Sequence, residues 1–305
     1  MEEGIHLRGL GLRKPILVAG ATLPEQVPLF AEYDLTLTGS SLDLLDIAEE
    51  VSRSMETRIK THLKIDTGME RVGVREYEAE PFLSKTFAYK HLEIEGIYTH
   101  LANSELADKS YSLMQLERFQ QVLDIYNRHS VPVPALRHVC NSGGILNLPE
   151  AHFDLVRPGV LFYGVYPGEE VNRVVEVKPA LTWRSRVAYS KRIRPGRPIS
   201  YGSLWQAEVE TGIVTIPCGY ADGYFRRMTN QAQVIIHQKK YPQVGRICMD
   251  QFMVNVGDDD IKVGDEVTLL GDGIRAEDLA RWTGTNEYEV MTNISARVPR
   301  VYINE

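Results

Sequence analysis

The first 163 residues alternate short apolar runs with amphipathic stretches, and this alternation limits the chain to few folds. Strand-like runs fall at 15–20, 35–39, 58–66, 92–100, 135–141 and 155–163. Between them, residues 42–51 place Leu44, Ala48 and Val51 on one helical face behind a serine cap at Ser41. Residues 110–129 do the same with Leu116, Phe119, Leu123 and Tyr126. Strands separated by helices predict a parallel sheet with helical crossovers. In the run 58–66, Ile59, Thr61, Leu63 and Ile65 alternate with Lys60, His62, Lys64 and Asp66. One face can pack on helices while the polar face looks into a barrel. A charge in that position is costly unless it meets a partner, which singles out Lys64.

After Tyr163 the pattern changes. Residues 166–177 read as a linker. From Pro179 onward, short strands are separated by Gly, Pro and Asp turns, as at 212–217, 233–237 and 266–270, with one helical stretch at 276–283. The expectation is an α/β domain over 1–175 and a mainly β domain over 176–305. The strand count adds a constraint. A closed (β/α)₈ barrel needs eight strands, whereas this region offers about six and opens on a helix-like segment, 2–10. The expected fold class is therefore an incomplete barrel followed by a β domain. Such a remnant exposes two strand edges and an unfilled interior, so a leading segment of about sixty to seventy residues is expected to be missing.

Composition excludes several function classes. A formal net charge of −7 argues against a phosphate-backbone binder. The basic residues at 192–197 are few and interrupted by proline. No apolar run is long enough for a bilayer, and the acidic opening Met1-Glu2-Glu3 lacks the layout of a signal peptide. Cys140, Cys218 and Cys248 are far apart and show no metal-ligand spacing. They read as reduced thiols. The expectation is a cytoplasmic protein with no nucleic-acid or membrane partner.

The motifs narrow the reading further. Gly219-Tyr220-Ala221-Asp222-Gly223 sets a tyrosine between small residues, a pattern suited to a close-packed turn that presents a phenol. Val244-Gly245-Arg246-Ile247-Cys248-Met249-Asp250-Gln251 follows, and Arg297-Val298-Pro299-Arg300 lies near the end. Upstream stands Lys64-Ile65-Asp66-Thr67-Gly68-Met69-Glu70-Arg71-Val72-Gly73. In this order the blocks resemble the alanine racemases over nearly the whole chain.

That resemblance implies a pyridoxal 5′-phosphate enzyme interconverting L- and D-alanine, which supplies D-alanine for peptidoglycan and works as a head-to-tail homodimer on a small amino-acid substrate. It implies Tyr220 as the proton carrier on one face, reaching the partner's barrel, with His100 and Arg157 linking to it by hydrogen bonds. A phenol near pKa 10 needs about 4 kcal/mol of bias to act near neutrality. Arg157 is implied to face the pyridine nitrogen. Because arginine keeps its proton, the ring stays largely unprotonated and reprotonation is favoured over transamination. Ser142, Gly159 and Val160 are implied phosphate contacts, and Arg71 with the Met249 N–H a carboxylate clamp. His138, on the strand just before the Ser142 loop, reads equally as a neighbour of the cofactor ring or as a core histidine. Lys64 matches a lysine often carbamylated in the family, and its alternative reading is a strand lysine paired with Asp66. Ala296 stands where some members carry a phosphate-binding tyrosine, so that contact is not carried over. The family's Schiff-base lysine lies in a run before Gly-His-Gly, and no lysine here has that context. The chain is accordingly expected to start after it and to be inactive alone. Two alternatives are a non-catalytic scaffold or ligand-binding homodimer, and a serine or broader racemase. A hydrolase with paired carboxylates ranks last, because Asp66 and Asp250 lack that context.

Overall fold

The computed structural model describes residues 1–303. They form two compact units, one spanning Met1–Gly159 with Glu170–Val174, the other Val160–Glu169 with the residues from Val175 onward.

In the first unit the sheet is parallel, as the alternation predicted. Strands β1 (Leu37–Gly39), β2 (Ile59–Asp66), β4 (Leu92–Tyr98) and β5 (Leu136–His138) lie in the order β1-β2-β4-β5, and β3 (Val74–Arg75) pairs with the end of β2. Single parallel bridges, Leu17 with Thr36 and His138 with Leu155, extend the sheet on either side. The expectation of about six full strands is therefore corrected at both margins. Residues 15–20 contribute one bridge. Of 155–163, Leu155 makes a bridge and Val160–Tyr163 turns into a 3-10 helix, because Pro158 donates no ladder hydrogen bond and Gly159 favours a turn.

The crossovers are helical, and the helices of this unit are α1 (Glu2–Gly9), α2 (Val27–Glu32), α3 (Leu42–Ser54), α4 (Ala79–Thr86), α5 (Ser110–Arg128) and α6 (Ser142–Asn147). Helix α3 (Leu42–Ser54) begins where Ser41 Oγ accepts from the Leu44 N–H and buries Leu44, Leu45 and Ala48. Helix α5 (Ser110–Arg128) buries Phe119, Val122, Leu123 and Tyr126. These faces cover one side of the sheet with Leu63, Ile65 and Ile97. The other side is polar and equally buried: Thr38, His62, Lys64 and His138 are each 5% exposed or less.

The second unit is antiparallel. Seven strands run in the order β6-β14-β11-β12-β13-β10-β7. They are β6 (Trp183–Arg186), β7 (Tyr189–Ile193), β10 (Thr211–Ile216), β11 (Gln233–Ile236), β12 (Lys239–Val244), β13 (Phe252–Gly257) and β14 (Glu266–Leu270), beside a short pair, β8 (Pro198–Ile199) and β9 (Trp205–Gln206). Alternation along β13 buries Phe252, Val254 and Val256 and turns the residues between them outward. Helix α7 (Ala276–Thr283) stands where it was expected. A second helix, α8 (Glu287–Asn293), had no counterpart in the sequence reading. Its start is marked by Asn286, whose side chain accepts from the Glu289 N–H. The run is too short to show a helical period.

One glycine fixes the polar side of the first sheet. Residues Thr61 and His62 pair with Ile94 and Gly96, so Glu95 is a bulge. A Cβ on Gly96 would lie 2.4 Å from His62 Nδ1. Gly96→Ala must push that ring aside within a packed strand pair. We expect a loss of about 2 kcal/mol, read as a lower denaturant midpoint. An unchanged midpoint would show that the ring has room to move.

Candidate active site

The polar face of the first unit is organised around one guanidinium. Arg157 donates from Nη1 to His138 Nδ1 at 2.5 Å, and from Nη2 to the carbonyls of Thr99 at 2.8 Å and Val139 at 3.0 Å. Its Nε–H has no partner among the described residues. The β5 strand and the turn after Leu155 place it there, its own N–H donating to the Cys140 carbonyl. Burial lowers the guanidinium to a pKa of about 10, which leaves it charged near neutrality.

Because arginine can only donate, His138 Nδ1 must accept and His138 Nε2 must carry the proton. His138 Nε2 then donates to His62 Nδ1 at 2.7 Å, and His62 Nε2 donates to Glu95 Oε1 at 3.3 Å. Thr36 Oγ1 also donates to Glu95 Oε1. The bulge at Glu95 brings the carboxylate to the end of this chain, and Gly96 makes room for the His62 ring. Direction therefore runs one way, from cation to carboxylate. The Tyr98 ring stacks on His138 at 4.5 Å between centroids and 12° between planes. The Tyr98 hydroxyl meets Thr38 Oγ1 at 2.9 Å.

Lys64 points into the same interior. It is 5% exposed, donates to the Ile65 carbonyl at 3.2 Å and lies 4.9 Å from the Tyr98 ring centre. The pairing with Asp66 is not made. That carboxylate accepts instead from the N–H groups of Gly68, Met69 and Arg71, shaping the loop that carries Arg71. Gly73, with φ +120°, passes so close that a Cβ would meet Lys64 Cγ at 2.8 Å. Burial, then the charges of Arg157 and Arg71, lower the Lys64 amine to about 7. The Arg71 guanidinium has no hydrogen-bond or ion-pair partner among the described residues.

His100 belongs to this cluster but is not bonded to Arg157. Its Nε2 faces the Asn141 amide at 3.4 Å. Asn141 caps helix α6 (Ser142–Asn147) through the Gly144 N–H, and the Gly159 N–H donates to Ser142 Oγ at 2.8 Å. Two expected phosphate contacts thus touch, with Val160 beginning the 3-10 helix next to Gly159 in sequence. His62 and Glu95 were missed as site residues. His62 was visible on the polar face of its strand, but the pairing that matters joins residues 76 apart.

The second unit carries Tyr220 and Met249. Within the motif the two tyrosines part company. Tyr224 is fully buried against Phe252, whereas Tyr220 is 41% exposed. A cleft of 630 Å³ is lined by Tyr201, Tyr220, Arg226, Arg246, Met249 and Asp250, with Ile247, Cys248 and Gln251. The Met249 N–H meets no acceptor among the described residues. Among those residues no helix is long and apolar enough to cross a membrane.

Comparisons with known proteins identify the family. Residues 1–167 match the family described as alanine racemase, N-terminal domain, and 180–302 match alanine racemase, C-terminal domain. The first match starts at residue 1, so the expected loss of a leading segment gains no support from it. The chain is 43% identical to the alanine racemase of Carboxydothermus hydrogenoformans, over 99% of this chain and 83% of that one. It superposes on the alanine racemase of Clostridium difficile 630 with a TM-score of 0.91 at 36% identity, covering 99% of this chain and 80% of that one. A Bartonella henselae alanine racemase with covalently bound pyridoxal phosphate gives a TM-score of 0.90 at 28% identity, covering 99% and 83%.

The imidazoles give the first unit a pH signature. Burial, then Arg157, lowers His100 to about 4 and His138 to about 2, and burial also lowers His62. Unfolded imidazoles titrate near 6.5, so below that pH the unfolded state binds protons that the folded state refuses. Stability is full above about 6.5 and falls as the pH drops toward 4. At pH 5 the cost is about 2 kcal/mol for each of His100 and His138. Urea midpoints should fall steadily between pH 7 and pH 5, and a flat profile would show these rings protonating freely in the folded state.

Proposed function

The chain belongs to the alanine racemase family of pyridoxal-phosphate-dependent isomerases, and from that premise we propose that it interconverts L- and D-alanine. Tyr220 carries the reading. The motif holds two tyrosines, and the one not needed for the core is presented from a glycine-bounded turn beside a cleft.

The residues present fit the cofactor. Arg157 has two spare N–H groups, on Nε and Nη1, and its other three donors are fixed by His138 and two carbonyls. Arg157, Lys64 and Arg71 also crowd cationic groups into one interior, as their joint lowering of His100 reflects, which favours an anionic guest. Pyridoxal phosphate, when bound, withdraws electrons from the amino acid's Cα and so loosens its proton. Arg157 Nε–H would donate to the ring nitrogen and, by keeping its own proton, leave that nitrogen unprotonated. This tempers the withdrawal and favours return of the proton to Cα over transamination. Ser142, Gly159 and Val160 would hold the phosphate, with His138 supporting Arg157 from behind.

Arg71 and the Met249 N–H would clamp the substrate carboxylate, Arg71 from one subunit and Met249 from the other. Tyr220 would move the proton on one face, with His100 nearby, in a head-to-tail homodimer. The support for that assembly is the exposure of Tyr220 and Met249 at 41% and 54%. Lys64, as a free amine, would add carbon dioxide and release a proton to solvent, leaving an anionic carbamate in place of a cation to orient Arg71. Its lowered pKa and its single carbonyl partner support this. Among the described residues Lys64 is the one buried lysine, so no further lysine is assigned as cofactor anchor and the activity of this chain alone is expected to be low. Borohydride treatment with added cofactor should give no stoichiometric adduct, and a full adduct on one lysine would overturn that expectation.

Tyr220→Phe removes one proton carrier and leaves shape nearly intact. Racemisation in the cofactor-loaded dimer should fall about 10²- to 10⁴-fold. Exchange of the α-proton with deuterated solvent should suffer far more for L-alanine than for D-alanine. Equal slowing of both enantiomers would make Tyr220 a structural phenol. Arg157→Glu should raise transamination relative to racemisation, measured as pyruvate formed per turnover.

A further inference from the structure

In the second unit three separate segments meet behind Tyr220, and one side chain joins them. Gly219 admits no Cβ, since one would lie 2.3 Å from the carbonyl oxygens of both Cys248 and Met249. At that contact the Tyr220 N–H donates to the Cys248 carbonyl and the Ala221 N–H to the Met249 carbonyl, at 3.1 and 3.0 Å. Gly223, at φ +102°, is pressed equally close to residue 293, where a Cβ would lie 2.4 Å from the Asn293 oxygen. The Asn293 side chain donates to the Gly223 carbonyl at 3.0 Å, and the Ser295 N–H donates to the Asp222 carbonyl at 2.9 Å. Arg297 spans all three. Its Nε donates to Asp222 Oδ1 at 2.7 Å and its Nη2 to Asp250 Oδ1 at 2.5 Å, while Asp222 Oδ2 accepts from the Gly219 N–H at 2.8 Å.

We propose that Arg297 is a positioning residue: it locks the loop bearing Tyr220 to the loop bearing Met249, so that phenol and backbone N–H are presented as one rigid pair. This deepens the racemase reading and rests on it for the roles of Tyr220 and Met249. The chemistry requires an arginine. A planar fork can serve two carboxylates from different loops at once, whereas a point charge cannot keep both geometries. Without the cation, Asp222 and Asp250 stand on adjacent loops as like charges and push them apart. The Tyr220 hydroxyl has no partner among the described residues, so its direction depends on the backbone that carries it. A displacement of about 1 Å at such a group is enough to cost about 10²-fold in rate.

The test is Arg297→Gln in the full chain, read in two ways. Amide hydrogen exchange at 219–224 and 248–251 should quicken about 5-fold or more, with β10 and β13 unchanged. With cofactor loaded, α-proton exchange should fall more for L-alanine than for D-alanine, as kcat and not only KM. Arg297→Lys should recover part of both effects. Asp250→Asn on the Arg297→Gln background should recover part of the amide protection by removing the repulsion. Unchanged loop exchange, equal quickening across the whole sheet, or equal slowing of both enantiomers would each overturn the proposal. If the unsubstituted protein, with cofactor loaded, exchanges no α-proton of L-alanine, the role given to Tyr220 fails, and the amide exchange still decides whether Arg297 locks the loops.

Discussion

A guanidinium drawn out of water calls for hydrogen-bond partners, and in the first unit the half-buried Arg157 gathers them from the groups around it. Two carbonyls and one imidazole satisfy three of its donors, and the imidazole passes the hydrogen bond on to His62 and then to Glu95. The tautomer of each ring follows from arginine's inability to accept. The backbone bends to suit: a bulge at Glu95 aims the carboxylate, and Gly96 vacates the volume that the His62 ring fills. The local irregularities of β4 thus accommodate the hydrogen-bonded chain that starts at this charge.

The same charge governs the electrostatics. Arg157, Lys64 and Arg71 act on the same groups, and burial leaves their fields poorly screened, so His100 and Lys64 lose protons far more readily than they would in water. An interior of this kind favours an anionic guest, which joins the fold to the proposed chemistry through charge. The second unit solves a different problem. The groups proposed to act there, Tyr220 and Met249, are exposed, and their loops are held by backbone crowding at Gly219 and Gly223 and by the Arg297 ion pairs.

Much of the architecture was legible because it follows from period and punctuation. Alternating strands and helices announced a parallel sheet, and Ser41 marked the start of α3. The change of pattern after Tyr163 announced the antiparallel region. Failures came where a run was too short for a period to show. The segment 155–163 read as a strand, yet proline and glycine reduce it to one bridge and a 3-10 turn, and α8 is only seven residues long. Of the candidate site residues, Arg157, His138, Lys64 and His100 do converge in one interior, while His62 and Glu95 were not anticipated as their companions.

The sequence by itself determined the residue types and the order of motifs: a tyrosine between glycines, a lysine and arginine seven apart, an arginine before Pro-Gly. These are local facts, set by which side chains the chain carries and how its backbone can turn. The tertiary structure alone decided which way each proton lies and that Tyr224 belongs to the core. His62 and His138 are 76 residues apart, and Arg297 reaches carboxylates 75 and 47 residues away. Hydrogen bonds act over about 3 Å of space whatever the distance along the chain, so only the folded arrangement could say which rings are joined and that Tyr224 fills the core beside the Tyr220 that the motif singles out.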